Sequence, residues 1–545
     1  MDTFRIGLYK SESSPERCVK RPLPVLNNLP PDRLQRRRSC TRCRASCTRG
    51  DARMPWPIQT TQAYAHPGGK KMTKLIEADY VVAGAGGVGM AFVDEIITHS
   101  DATVAIVDRK HRPGGHWNDA YPFVRLHQTS TCYGVNSTEM GGYSIDQVGL
   151  NKGCYELASG SEVVAYFDTV MRKRFLPSGR VEYLPLCEYN KNDNTAVSLT
   201  CGEKYEFRAN KKYVDATYLN VTVPSQRAPD FEVQGGARAV VVNDLPRVIA
   251  EHRNFVIVGS GKTGMDAVLF LLTHRVDPER ITWIMPSDAW MFSRFDVDPG
   301  RKFSDPVTQY AIGLLQAALE AQDYDDYFRR LVERKLVLQL DPSVRPKRWR
   351  CATFTPLELE QLRRVKNVVR QGYLEVASPV EMKMQKGTHP TPADAVFVDC
   401  AADGLPKVPM VKVFDGNRIT LQTVRMCQQV YSAGFIGNVE CNVDADEARK
   451  NALTQPVPLP YTDADYLRCA ILNSLNMAVW LTEPAVVKWI NESRIDLFSP
   501  FLDFESAEGI ANIQAMGELI QQAVPKMQAL LDTHEQRASA QPVQA

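Results

Sequence analysis

Apolar residues cluster into two kinds of run along this chain. Short continuous runs, "YVVA" at 80–83, "TVAIV" at 103–107, "FVIV" at 255–258 and "ITWIM" at 281–285, have the length and β-branched content of strands buried on both faces. Longer stretches, "MAFVDEII" at 90–97 and "MDAVLFLL" at 265–272, continue as helices. The two kinds alternate, which predicts an α/β fold with parallel sheets. Toward the C-terminus the pattern becomes helical. "AILNSLNMAVWL" at 470–481 reads as a buried helix, and 506–545 has apolar residues at helical spacing, broken by Pro525. That tail can pack on the body or mediate a homodimer.

Two of the strand-to-helix junctions are rich in glycine. "YVVAGAGGVGMAF" places Gly84, Gly86 and Gly89 in the G-x-G-x-x-G spacing, and "NFVIVGSGKTGMDAV" repeats it with Gly259, Gly261 and Gly264, about 175 residues later. The first glycine allows a tight turn, the second lets a pyrophosphate approach the backbone, and the third lets helix and strand pack closely. The helix N-terminus then offers free N–H groups and a partial positive charge to the phosphates. The strand after the first turn ends at Asp108, 19 residues beyond Gly89, where a carboxylate can accept both ribose hydroxyls. Asp266 is read in the first helical turn after the second grip, where its charge suits the macrodipole. Beyond the next strand lie Ser287, Asp288 and Arg294. An acid there suits NADH and a cation suits NADPH, so both donors stay open.

Composition changes this picture little. At 545 residues, 44% hydrophobic and 23% charged, the chain has the makeup of a soluble protein of two or three domains. No apolar run reaches the ~18 residues that span a bilayer. Residues 1–71 hold 15 basic and 5 acidic side chains, and the remainder holds 50 and 58, so the body is mildly acidic and no nucleic-acid partner is expected. That leader reads as a basic, disordered segment. Its few acids also fit an organellar transit peptide, and Met72 is favoured as the true start. Cys40, Cys43 and Cys47 offer three ligands without a histidine, so no metal is expected. Ten other cysteines, Cys351 and Cys427 among them, are scattered and read as buried thiols in a reducing compartment such as the cytoplasm.

After Asp108 comes "RPGGHWNDAYPFVRLHQTS". With Gly114, Gly115, Trp117, Tyr121, Pro122 and Arg125, this segment and the two glycine-rich turns resemble flavin-containing monooxygenases and their relatives in the two-dinucleotide-binding-domain flavoprotein superfamily. The resemblance implies FAD at the first turn and NAD(P)H at the second, NADPH by family habit. It implies a Rossmann-like FAD domain (72–247 and 396–505) interrupted by a smaller NAD(P) domain (248–395), with a helical tail at 506–545. "YVDATY" and "AVFVDCAADG" match the strands that cross between the domains. The implied activity is NAD(P)H-dependent oxygenation of a small organic substrate by O2 through a peroxyflavin. Trp117 and Asn118 stand where disulfide reductases of the superfamily carry a redox cysteine pair, which argues against thiol chemistry there. The Phe-x-Gly-x-x-x-His motif usual before the second turn is absent from the linker that holds Asn243.

Electron transfer without oxygen insertion is therefore the alternative, and a flavin-binding sensor or scaffold is a third. Cofactor-binding residues are expected to be Gly84, Gly86, Gly89, Asp108, Gly115, Trp117, Gly259, Gly261 and Gly264. His127, Gln128 and Arg125 are the catalytic candidates. His127 is read as a base near neutral pH or a flavin partner, and Arg125 as a counter-charge. "WMFSRFDVDPGR" reads as a connecting loop that can line a substrate channel.

Overall fold

A computed structural model describes residues 73–297, 304–402, 404, 406–496, 503 and 506–540. The leader, with its cysteine cluster and the Met72 question, lies outside the described residues. The described residues form one compact unit.

Two sheets organise that unit, the first mixed with a parallel centre and the second parallel throughout. In the first, the central strand Lys74–Ala83 lies between Val104–Val107 and Lys204–Asp215. Val181–Leu184 extends it on one side and Arg418–Thr420 on the other. The helix Gly87–His99 follows the central strand and packs against Gln429–Asn442. Tyr80, Val82, Phe92, Ile96, Phe435 and Ile436 are among the buried residues of this core. In the second sheet, Asn254–Val258 lies between Ile281–Ile284 and Ala395–Asp399, and its helix is Lys262–Thr273. All five strands of this sheet run parallel. The expected α/β architecture, with two Rossmann-like sheets and a helical C-terminal region, is the one observed.

The expected boundaries shift. Arg238–Val241 and Ala395–Asp399 pair with each other in the second sheet, although the first precedes the expected boundary at 247/248 and the second straddles that at 395/396. The crossings fall instead between 215 and 238 and between 399 and 414. An apolar parallel strand carries the same pattern in either sheet, so only its partner decides.

Three further readings change. "WMFS" is a buried strand, Ala289–Ser293, paired in parallel with Arg348–Phe354, not a loop. The tail is one helix, Ala507–Ala540, with Pro525 inside it. Pro525 is exposed, as is Gln521, so water can satisfy the carbonyl whose helical donor proline removes. The tail packs on the body, where Arg468 pairs with Glu535 and Tyr324 stacks on His534. Finally, Cys351 and Cys427 are not thiols but are joined in a disulfide.

Among the described residues no helix is long and apolar enough to cross a membrane, and no group of three or more His, Cys, Asp or Glu could hold a metal ion.

Candidate functional site

The two glycine-rich turns are close copies of each other. Gly84 N–H donates to Val107 O at 2.8 Å, and Gly259 N–H to Ile284 O at 3.0 Å. Both residues have a left-handed φ, +107° and +120°, which a side chain would strain. A Cβ on Gly89 would lie 2.0 Å from Gly84 O, and one on Gly264 would lie 2.2 Å from Gly259 O. Each third glycine thus lets its helix start against the preceding strand. Gly86 and Gly261 are the helix N-caps, and neither helix has a side-chain cap. The first-turn N–H groups are left without a side-chain acceptor, as an anion site requires. In front of Gly261 the space is open, since a Cβ there would meet nothing within 4 Å.

The Gly-Gly turn closes on the first grip. Gly114 N–H donates to Ala85 O at 2.9 Å, and a Cβ on Gly115 would come within 3.0 Å of Gly86 Cα. Trp117 Nε1 donates to Tyr133 Oη at 2.7 Å beside the same helix start. Asp108 lies at the strand end, its carboxylate accepting Ala85 N–H at 2.5 Å and Lys110 N–H at 2.6 Å. Each oxygen keeps a lone pair for a hydroxyl. Burial raises the Asp108 pKa, and the two backbone donors oppose that rise.

The ribose end of the second grip differs from expectation. Arg294 turns inward and is 1% exposed. Its guanidinium donates to His127 O, Asn151 Oδ1, Glu358 Oε2 and Thr353 O at 2.8–3.2 Å. Asp288 stays near the turn, whose Ser260 Oγ donates to Ser287 O at 2.9 Å. Its carboxylate is held by Arg370 through two bonds of 2.8 and 3.1 Å. Arg370, 82 residues on, carried no signal in the sequence.

A polar cluster that the sequence only partly disclosed joins Tyr121, beyond the Gly-Gly turn, to the helix of the second grip. Tyr121 Oη donates to Asp266 Oδ2 at 2.6 Å, and Lys262 pairs with the other oxygen of the same carboxylate. Asp266 is the fifth residue of its helix, so it lies beyond the first turn and acts through these partners, not through the macrodipole. Lys262 could have been flagged from its place inside "GSGKTG". The Lys262 ammonium also sits 5.4 Å from the ring centroid of Phe354.

His127 adjoins this cluster. Its Nδ1 is buried without a hydrogen-bond partner, and such an orphaned atom suits a bound group that completes it. Burial, then Lys262 and Arg294, push its pKa down to about 3. It is therefore neutral near neutral pH. Gln128 follows it, half-buried. Arg125 is exposed, its Nη1 donating to Leu157 O at 3.1 Å, so it stands apart from the cluster.

The depressed His127 pKa has a stability consequence. The unfolded chain takes up a proton near pH 6.5 and the folded chain does not, so stability present above that value falls as pH drops toward 3. The loss is about 1.4 kcal/mol per pH unit. Between pH 7 and pH 5, His127→Gln should lose about 2 kcal/mol less stability than the parent, measured by urea unfolding at both pH values. Equal losses would show that His127 titrates normally.

No family model matches the chain. Among solved structures it is similar to a flavin monooxygenase from Stenotrophomonas maltophilia, at 15% identity over 68% of this chain and 99% of that one, with a TM-score of 0.37. It is also similar to an oxidized steroid monooxygenase bound to NADP, at 13% identity over 82% and 98%, with a TM-score of 0.40. Scores this low leave the function to the residues themselves. Sequence relatives are much nearer. "Uncharacterized protein Rv2000" of Mycobacterium tuberculosis (strain H37Rv) is 44% identical over 455 residues, covering 84% of this chain and 82% of the relative. "Uncharacterized protein Mb2023" of Mycobacterium bovis matches to the same extent. The chain belongs to the same protein family as Rv2000 and Mb2023.

Proposed function

We propose that this chain is an FAD-dependent oxidoreductase reduced by NAD(P)H, and that it is a monooxygenase acting on a small organic substrate with O2. The observation that carries this reading is the pair of like turns, each ending in an uncapped helix N-terminus, with the open Nδ1 of His127 close enough to feel the charge of Lys262 at the start of the second helix. FAD, when bound, supplies hydride acceptance and the reaction of its reduced form with oxygen. The protein's part is binding, orientation and exclusion of water.

Gly84, Gly86 and Gly89 would hold the FAD pyrophosphate against the first helix, with Asp108 on the ribose and Gly115 and Trp117 closing the site. Gly259, Gly261 and Gly264 would do the same for the nicotinamide dinucleotide. NADPH is preferred over NADH on the resemblance alone, since Arg370, the cation beside Asp288, is already shared between Asp288 and Asp341. His127, neutral and with Nδ1 open, would hydrogen-bond the bound group, with Gln128 beside it. Lys262 would lend positive charge from its pair with Asp266. Arg125 is left with a supporting role at the surface. A second reading, electron transfer without oxygen insertion, is favoured by the missing linker motif around Asn243, whose side chain instead donates to Asp119 O at 3.1 Å.

The purified chain should be yellow and should bleach anaerobically with NADPH faster than with NADH. Readmitted O2 should then yield an oxygenated product from amines, sulfides or ketones. A colourless protein that FAD cannot reconstitute would overturn the assignment. Bleaching followed by stoichiometric H2O2, with no product from any substrate class, would move it to the second reading.

A further inference from the structure

The Cys351–Cys427 disulfide links segments 76 residues apart, with a Cα–Cα distance of 6.5 Å. Cys351 lies in, and Cys427 just before, an element that approaches one glycine-rich turn. Cys351 lies in the strand Arg348–Phe354, whose Phe354 ring faces the Lys262 ammonium of the second turn. Cys427 immediately precedes Gln428, the N-cap of the helix Gln429–Asn442. In that helix Val430 Cγ1 is the nearest atom that a Cβ on Gly87 would meet, at 3.1 Å, so this helix start faces the first turn. The bond therefore joins the segment that leads to one nucleotide grip with the segment that leads to the other.

We propose that Cys351–Cys427 is a redox-active disulfide that accepts electrons entering at the nucleotide sites. This rests on the reading of those sites as FAD and NAD(P)H grips. The hydride of NAD(P)H carries two electrons and one proton, and these pass through the flavin. Solvent supplies a second proton, the S–S bond breaks, two thiols form and NAD(P)+ leaves.

Three features suit the role. The sulfurs differ in access: Cys351 is 4% exposed and Cys427 is half-buried, so Cys427 is the sulfur open to exchange. Cys427 also adjoins a 14-residue helix whose N-cap makes no side-chain hydrogen bond, and the positive end of that helix favours its thiolate. Both cysteines hold a left-handed backbone, φ +53° and +59°, which is costly for residues other than glycine. Strain of this kind gathers at working sites.

An anaerobic titration of the full chain, first oxidised with oxidised glutathione, tests the proposal. The parent should take up four electrons per bound flavin from NAD(P)H, and the double variant Cys351→Ser/Cys427→Ser should take up two, a twofold difference. N-ethylmaleimide trapping and mass spectrometry should label both cysteines in the parent after NAD(P)H and neither before. This arm needs no variant, so it stands even where the double variant fails to fold. Flavin bleaching with uptake ending at two electrons and the cysteines still linked would overturn this proposal alone. So would a pair that stays reduced in oxidised glutathione. A chain that binds no flavin and consumes no NAD(P)H would overturn the functional reading, and this proposal with it.

Discussion

Gly261→Val should yield a folded, yellow protein whose flavin is no longer reduced by NAD(P)H at a useful rate. The reason lies in the space at that position. Gly261 has an ordinary extended backbone, φ −78° and ψ −178°, and a Cβ built there meets nothing within 4 Å. The valine Cβ therefore meets no protein atom. It projects into the opening before the uncapped helix, where a pyrophosphate would take its hydrogen bonds. Charge-assisted bonds contribute about 1.5–3 kcal/mol each. Losing two should slow reduction at fixed NAD(P)H by about a hundredfold or more. Stopped-flow absorbance measures the rate, and the flavin-to-protein ratio measures whether the first site is spared. Reduction at the parent rate would mean that nothing docks at this turn. Loss of flavin with an unchanged circular dichroism spectrum would mean that the two sites are assigned the wrong way round.

Gly89→Ala should be the most damaging glycine-to-alanine change among the described residues. The added carbon would lie 2.0 Å from Gly84 O, a backbone atom. That atom has little freedom to retreat, because the strand before it is hydrogen-bonded on both sides and Gly84 N–H is itself bonded to Val107 O. Overpacking against a fixed backbone costs about 3 kcal/mol or more, enough to unfold a marginally stable chain or leave it insoluble. Gly86→Ala is the control: its Cβ would make ordinary contact with Gly115 Cα at 3.5 Å, and its φ of −77° accepts a side chain. Thermal denaturation should separate the two variants by several degrees. A Gly89→Ala protein that melts with the parent would show that helix and strand are not packed as described.

Neither variant could be ranked from the G-x-G-x-x-G spacing alone. The spacing assigns roles to three glycines, but the gap before Gly261 and the contact at Gly89 are distances between segments. The same division runs through the site. Asp108 was legible because it follows its strand directly and a strand end has one place to go. Arg294 was misplaced because a side chain beyond a strand can turn either way. A buried partner set, Glu358, Asn151 and two carbonyls, turned it inward. Arg370 was missed because it reaches Asp288 from a different strand of the sheet.

By itself the sequence determined the units held together by neighbours in the chain. These are the two strand–turn–helix grips, their glycine roles, the carboxylate at the first strand end, the alternation that makes an α/β fold and the helical character of the C-terminal part. Each follows from backbone sterics or apolar periodicity within about thirty residues. The tertiary structure decided what depends on partners far along the chain: which sheet takes Arg238–Val241 and Ala395–Asp399, why Ala507–Ala540 stays helical through Pro525, that Cys351 finds Cys427, and that His127 is neutral. A strand's partner, a proline's solvent exposure and a histidine's charge are set by what surrounds them, and a linear pattern holds no record of its surroundings.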